Sequence, residues 1–568
     1  MEYNTVLSGQ ARRLAWVFFL LLLFCGWGII SCSFAESVSS DNLSVSETPV
    51  NLTILALNDY HGQVSTGKMV NNTPVGSMGV LASYILQSIN ASGENHTIIA
   101  LPGDMTGVSP PESGLLMDEP TLLYFNLFSG NTSGDRPYQP IASCPIVATV
   151  GNHEFDRSLS ELNRKIYGGN GATTFSHLQD PYPGSDATVI ASNILVTKTG
   201  KLFLPPYTIR EVDGVSIAFI GAVTNTTPYI VALDNVKELT FLDEADSINQ
   251  QVETLKNQGI HAFVILLHEG GSQDPYDGET RSDVPVTGRI VDIVSRLDSD
   301  VDVVLSGHTH EFTNAYLQNA GDRPVLVTQA YSYSKAFANV SLSLDPVSDD
   351  IIWKTASIVT PYADRSPGNS PNPEATRLLN DTFRITDPLV KGVISFTYMN
   401  ITAGRNSDGE SNLYDLVTDS MRVAMNSDIA VLNEGAVRAD IYPGNITMGK
   451  AYEMLPFGNN IITVNMTGDQ IQSLVEQQWN RTIRPDHMLQ ISGFNYTYDD
   501  TRSINNRVLS LSQNGTHIKP GQIYSVATVP FLAGGGDGYT VMKQARQGVT
   551  GLLDLDALVP YVKSLKTP

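Results

Sequence analysis

Cysteine is nearly absent. Of three in 568 residues, Cys25 and Cys32 fall within the first 35, and Cys144 stands alone in the body of the chain. One thiol cannot close an internal disulfide, so packing rather than cross-links must hold the fold, and a structural thiolate zinc cluster is excluded. Positive charge is scarce too: 35 Lys and Arg face 58 Asp and Glu, for a net charge of −23. That balance argues against nucleic acid or an anionic membrane surface as the main partner. An anionic substrate would therefore have to be captured by local devices, a metal ion or single arginines. There is no internal repeat, and no apolar run closes the C-terminus, so neither a second anchor nor a glycolipid signal is expected. At 42% hydrophobic and 16% charged the composition is that of a folded globular protein, and the length calls for two or more cores.

Residues 1–35 read as a signal peptide or an uncleaved N-terminal anchor. Arg12 and Arg13 precede the apolar stretch from Leu14 to Ile30, and Ser33-Phe34-Ala35 resembles a small-residue cleavage site. Ile29-Ile30-Ser31-Cys32 also bears a weak likeness to a lipidation box. Residues 36–50, rich in Ser, read as a flexible spacer. About fifteen Asn-X-Ser/Thr acceptors follow, Asn51, Asn131, Asn339 and Asn514 among them. An exported glycoprotein of the cell envelope or extracellular space is the expectation, touching membrane only through an N-terminal anchor.

The informative feature is where strands end. Ile146 to Val150 reads as a short buried strand that Gly151 breaks, delivering Asn152-His153-Glu154-Phe155-Asp156 at its tip. In α/β sheets the groups that do chemistry collect at such tips. An isolated Gly-Asn-His would be a turn with a hydrogen-bonded histidine, but the pattern recurs. Strand 52–57 leads to Asp59 and His61, 97–101 to Asp104, 262–267 to His268, and 301–305 to His308 and His310. Strand 215–220 carries no ligand-type side chain at its tip. Half of the ten histidines sit at these tips; His96, His177, His261, His487 and His517 lie elsewhere and read as structural or exposed. Carboxylates, imidazoles and one amide oxygen form a mixed set suited to two adjacent divalent ions such as Zn, Mn or Co.

Taken together, Asp59-X-His61, Gly103-Asp104, GNHEFD, His268 and Gly307-His308-X-His310 resemble the signature of the two-domain 5′-nucleotidase family, which includes the bacterial UDP-sugar hydrolase. The resemblance implies an α/β fold: a four-layer α/β/β/α metallophosphoesterase domain (51–360), a linker and bridging helix (361–386), and a smaller α/β substrate domain (387–568). It implies that Asp59, His61, Asp104 and His310 hold one metal. Asp104, Asn152, His268 and His308 hold the second. His153 would be the catalytic histidine, oriented by Asp156.

The C-terminal half carries segments similar to the family's nucleotide-binding ones. By that likeness Phe457 and Phe531 sandwich a base, Asn433 contacts the base, Asp537 the ribose, and Arg438 the phosphate; otherwise the two rings are core packing. Two departures stand out. Glu434 and Ala436 interrupt a run that is usually glycine, and a carboxylate beside an arginine can pair with it and weaken phosphate capture. Arg405 represents a further arginine one residue out of register. The implied reaction is hydrolysis of nucleoside 5′-monophosphates, serving nucleotide salvage or phosphate scavenging. The alternatives are a UDP-sugar or 2′,3′-cyclic-nucleotide phosphodiesterase of the same family, or a non-catalytic surface adhesion protein.

Overall fold

The computed structural model describes residues 48–133, 136–170, 178–406, 409–481 and 488–565. The leader at 1–35 and most of the expected spacer lie outside these residues; Val50, expected to close the spacer, instead opens the first strand.

Twelve strands build two six-stranded sheets. They are β1 (Val50–Ala56), β2 (Thr97–Pro102), β3 (Ile146–Thr149), β4 (Thr188–Ile190), β5 (Tyr207–Val212), β6 (Val215–Val223), β7 (Ala262–His268), β8 (Val301–Ser306), β9 (Phe312–Gln318), β10 (Pro324–Ala330), β11 (Phe337–Asp345) and β12 (Asp350–Val359). The first sheet runs β12-β11-β1-β2-β3-β4 and the second β9-β10-β8-β7-β6-β5. Within each, four neighbouring strands are parallel, β1 to β4 in one and β6, β7, β8 and β10 in the other.

Alternation along β1 shows how the layers form. Leu52, Ile54 and Ala56 point between the sheets, meeting Phe219, Val264, Leu266 and Leu305 of the second sheet. Leu55 and the following Leu57 point the other way, onto Leu81 and Ile85 of the helix Met78–Ser92. The outer face of the second sheet is covered by Ile248, Val252 and Leu255 of the helix Glu244–Lys256 and by Ile290, Ile293 and Val294. Strands buried on both faces must be apolar at nearly every position, which is why they read as continuous runs. The result is four layers, α/β/β/α. The helix Pro373–Val390, expected to bridge the domains, buries Ala375 and Leu378 in the same core as Met78–Ser92.

Beyond it a separate core surrounds a five-stranded sheet: β13 (Ile429–Asn433), β14 (Asn460–Thr467), β15 (Leu489–Ser492), β16 (Ile523–Thr528) and β17 (Arg546–Leu553), in the order β15-β13-β16-β14-β17. Among the described residues no helix is long and apolar enough to cross a membrane.

Candidate metal centre

The parallel strands of both sheets deliver their C-terminal ends to one edge. There the chain bends sharply: Asp59 (φ 47°), His61 (φ 47°), Asp104 (φ 52°), His308 (φ 77°) and His310 (φ 63°) all adopt left-handed backbone. Such conformations cost roughly 1–3 kcal/mol each outside glycine and persist where surrounding bonds enforce them. The enforcing bonds are present: Asp59 N donates to Gly103 O at 3.2 Å, and His61 N to Asp104 O at 3.0 Å. Gly103 cannot be larger, because a Cβ there would lie 2.5 Å from His268 Nδ1 and 2.8 Å from Gly151 N.

Two groups of side chains that could each hold a metal ion result, Asp59, His61, Asp104 and His310 in one and Asp104, His268 and His308 in the other. His61 Nδ1 faces Gly107 O at 2.8 Å and His268 Nδ1 faces Pro102 O at 2.9 Å. A carbonyl only accepts, so each Nδ1 carries a proton and Nε2 points inward. Inward, His268 Nε2 lies 3.1 Å and His61 Nε2 3.7 Å from Asp104 Oδ2, and His310 Nε2 lies 3.5 Å from Asp59 Oδ1. Asn152 Oδ1 completes the second group, 3.3 Å from His268 Nε2 and 2.9 Å from His308 Nδ1.

The donor set fits a cation. Burial pushes His61 down to about 3 and His308 down to about 4, so both are the neutral imidazoles that metals take. Burial alone would lower His268 as well, but the Asp104 and Asp59 carboxylates beside it lift it to about 10, so its inward nitrogen holds a proton until a metal ion takes that place. Both carboxylates are buried, and that much negative charge inside the protein demands a positive partner.

Glu154, the middle residue of the hexapeptide, was given no role by sequence reasoning, yet it ties the centre together. Its Oε2 accepts from Asp104 N at 2.9 Å and Gly151 N at 2.6 Å, and its Oε1 from Thr106 N at 3.0 Å and Thr106 Oγ1 at 3.2 Å. A carboxylate that meets four donors on two loops acts as a clamp. The only signal was its place inside the motif. Glu154→Gln would turn an amide N–H₂ against two of those donors, and each buried bond left unmade costs about 1–3 kcal/mol. A melting temperature several degrees lower, together with weaker Mn²⁺ binding by calorimetry, is the expected result; unchanged values would refute the clamp. Asn58 supports the neighbouring loop, its Nδ2 donating to Asp59 Oδ2 at 2.7 Å.

His153 stands at the rim. Its Nδ1 pairs with Asp156 Oδ2 at 2.7 Å, and its ring stacks against Phe457 with centroids 6.1 Å apart. Burial works to lower its pKa, but Asp156 and Asp104 outweigh it and raise it. Beside this ring opens a cleft whose lining includes Asn152, His153, Asn433, Arg438, Phe457 and Phe531. Four of the six residues expected to contact a nucleotide thus border the same space as His153. The other two do not line it. Asp537 is buried, its backbone carbonyl accepting from Arg481 Nη1 at 2.9 Å. Arg405 forms an ion pair with Glu434. The carboxylate expected to burden Arg438 is therefore engaged by Arg405, and also accepts from Gln490 Nε2 at 3.0 Å. Of the remaining histidines, His96 and His261 sit at the surface near Asp213 and Asp300, and His517 is exposed. His177 and His487 lie outside the described residues.

Residues 52–312 match the calcineurin-like phosphoesterase family and residues 390–544 the 5′-nucleotidase C-terminal domain. The chain is 31% identical over 548 residues to the endonuclease YhcR of Bacillus subtilis, covering 95% of this chain and 42% of that protein. It is also 31% identical over 557 residues to the cell wall protein Lmo0130 of Listeria monocytogenes, covering 91% of this chain and 67% of that one. It thus spans less than half of the first relative. A 5′-nucleotidase precursor from Thermus thermophilus shares the fold, with a TM-score of 0.69 at 23% identity over 91% of this chain and 97% of its own. With both domain models matched, the chain belongs to the two-domain 5′-nucleotidase family, whose domains are those of metal-dependent phosphoester hydrolases.

Proposed function

We propose that the chain hydrolyses nucleoside 5′-monophosphates to nucleoside and phosphate. One observation carries this reading: Phe457, Phe531, Asn433 and Arg438 of the C-terminal half line the same cleft as Asn152 and His153 of the metal centre. Asp59, His61, Asp104 and His310 would hold one divalent ion, and Asp104, Asn152, His268 and His308 the other. Two such ions bind a phosphate, lower the pKa of water and brace an in-line displacement. Water attacks phosphorus as the bond to the 5′-oxygen breaks, and the nucleoside leaves with a proton. His153, held by Asp156, donates to the phosphoryl oxygens as their charge grows, an interaction stronger in the transition state than in the ground state. Arg438 offers its planar fork to the phosphate, and the two phenylalanines offer faces to the base. Asp537 and Arg405 are retained as nucleotide contacts only if the segments bearing them move.

A second reading, a phosphodiester substrate, is favoured by the pairing of Arg405 with Glu434. With that arginine neutralised, Arg438 faces the substrate alone, which suits one negative charge better than two. An exported site of action is supported by the N-terminal segment, by the cell-wall relative, and by exposed acceptor asparagines such as Asn51 and Asn514.

The test is turnover of AMP and p-nitrophenyl phosphate, read as free phosphate, against UDP-glucose, read as UMP, and bis(p-nitrophenyl) phosphate, read as p-nitrophenol, in Mn²⁺, Zn²⁺, Co²⁺ and Mg²⁺. Phe457→Ala and Phe531→Ala, shown folded by circular dichroism, should each lower kcat/KM for AMP by about 10-fold or more, from loss of roughly 1–3 kcal/mol of stacking. The aryl monoester should stay within a few-fold of wild type. Parallel losses on both substrates would make the rings packing residues and remove the nucleotide reading.

A further inference from the structure

The cleft also contains an asparagine whose orientation is set from behind. Asn459, two residues after Phe457, lines it. Behind Asn459 stands Asp554, the first residue of the helix Asp554–Ser564 and only 3% exposed. The two are clamped at two points: Asp554 N donates to Asn459 O at 2.8 Å, and Asn459 Nδ2 donates to Asp554 Oδ2 at 3.3 Å. Asp554 Oδ1 accepts from Leu555 N at 2.8 Å. The neighbouring pairing of Asn460 with Leu553, between β14 and β17, brings Asn459 and Asp554, 95 apart in the chain, side by side.

Chemistry fixes the direction of this contact. An ionised carboxylate has no proton to give, so the amide must turn its N–H₂ toward Asp554. Its carbonyl oxygen is then left for the cleft. Asn433, on the same cleft and 5% exposed, has its Oδ1 buried with no hydrogen-bond partner among the described residues. Two amide carbonyls therefore wait for donors beside the stacking rings. A ligand that brings an N–H₂ group there offers these oxygens a donor; one that brings a carbonyl sets lone pair against lone pair and leaves the buried Asn433 Oδ1 unpaired.

We propose that Asp554 is a specificity-determining positioning residue. By orienting Asn459, it makes the site favour bases carrying an exocyclic amino group, adenine and cytosine, over their oxo counterparts, hypoxanthine and uracil. The inference rests on the nucleotide reading above and goes beyond it by naming the edge of the base that is read.

The experiment compares kcat/KM for AMP, IMP, CMP, UMP and p-nitrophenyl phosphate in the full chain at pH 8. Burial raises Asp554 to about 6, so its carboxylate is charged there. Wild type should prefer AMP to IMP and CMP to UMP by about 10-fold or more, the worth of one or two hydrogen bonds. In Asp554→Asn, whose amide donates as readily as it accepts, both ratios should shrink to about 3-fold or less, while the aryl phosphate is unaffected within a few-fold. Asn459→Ala, which removes the acceptor and leaves the helix start intact, should narrow the ratios in the same way if Asp554→Asn does not fold. Equal use of the amino and oxo members by wild type would overturn the proposal. So would a variant that slows all five substrates alike, since a structural residue moves rates but not ratios. Hydrolysis of the aryl phosphate with none of any nucleotide would instead overturn the reading on which the proposal stands.

Discussion

Asp104→Asn is expected to strip metal from both groups of ligands at once and to abolish turnover. The same carboxylate oxygen lies 3.1 Å from His268 Nε2 and 3.7 Å from His61 Nε2, so it belongs to both groups. Asn can offer an oxygen, but it removes one of the two buried carboxylates, Asp59 and Asp104, whose charge makes the centre attractive to cations. Changes to outer-shell partners already cost 10–100-fold in metal affinity; a shared ligand should cost more than about 100-fold. Asp104 Oδ1 also accepts from His153 N at 2.9 Å, so the loop that carries the rim histidine would loosen as well. Metal analysis of the dialysed variant decides the matter. Two equivalents of metal and normal turnover would remove Asp104 from its bridging position.

His153→Ala should behave in the opposite way, keeping its metal and losing about 10²–10⁴-fold in kcat, the range for a proton-transfer or oxyanion contact. The ring makes no part of either ligand group; it is paired to Asp156 and faces the cleft. The structure adds a further expectation. Because His153 stacks on Phe457, its loss should also raise KM for AMP, whereas the KM of p-nitrophenyl phosphate, which has no base to place, should hold. Metal loss in this variant would mark His153 as a ligand, and an unchanged kcat would remove its catalytic role.

The metal centre was legible in the chain because its strands are buried on both faces. Ala262 to Leu267 is an unbroken apolar run that stops at His268, and Val301 to Leu305, interrupted only by Asp302, stops three residues before His308. Six strands were visible in this way. Others were not: β11, Phe337–Asp345, alternates between buried and half-exposed positions, and β5, β9 and β12 lie at sheet edges where polar residues are tolerated. Such stretches look like many surface segments until their partners are known. Glu154 stands in plain view inside the motif, but its part is hidden because its partners include backbone N–H groups some fifty residues away. The same distance effect hid the pairing of Glu434 with Arg405 in place of Arg438, and that of Asp554 with Asn459. Sequence patterns report which residues are apolar and where strands stop. They do not report which loop a long side chain reaches.

The C-terminal sheet has a hydrophobic core of its own, sharing none of its buried residues with those of the two-sheet layer. Strand ends, short helical turns and loops meet in the cleft. On the proposed function, bond breaking would reside with one core and choice of substrate with the other. On that reading, substitutions around Glu434, Asn459 or Asp554 should alter what is admitted without disturbing the strand tips proposed to act on phosphorus. A chain built this way would change its diet at the cleft side of the second core while its reaction stays fixed.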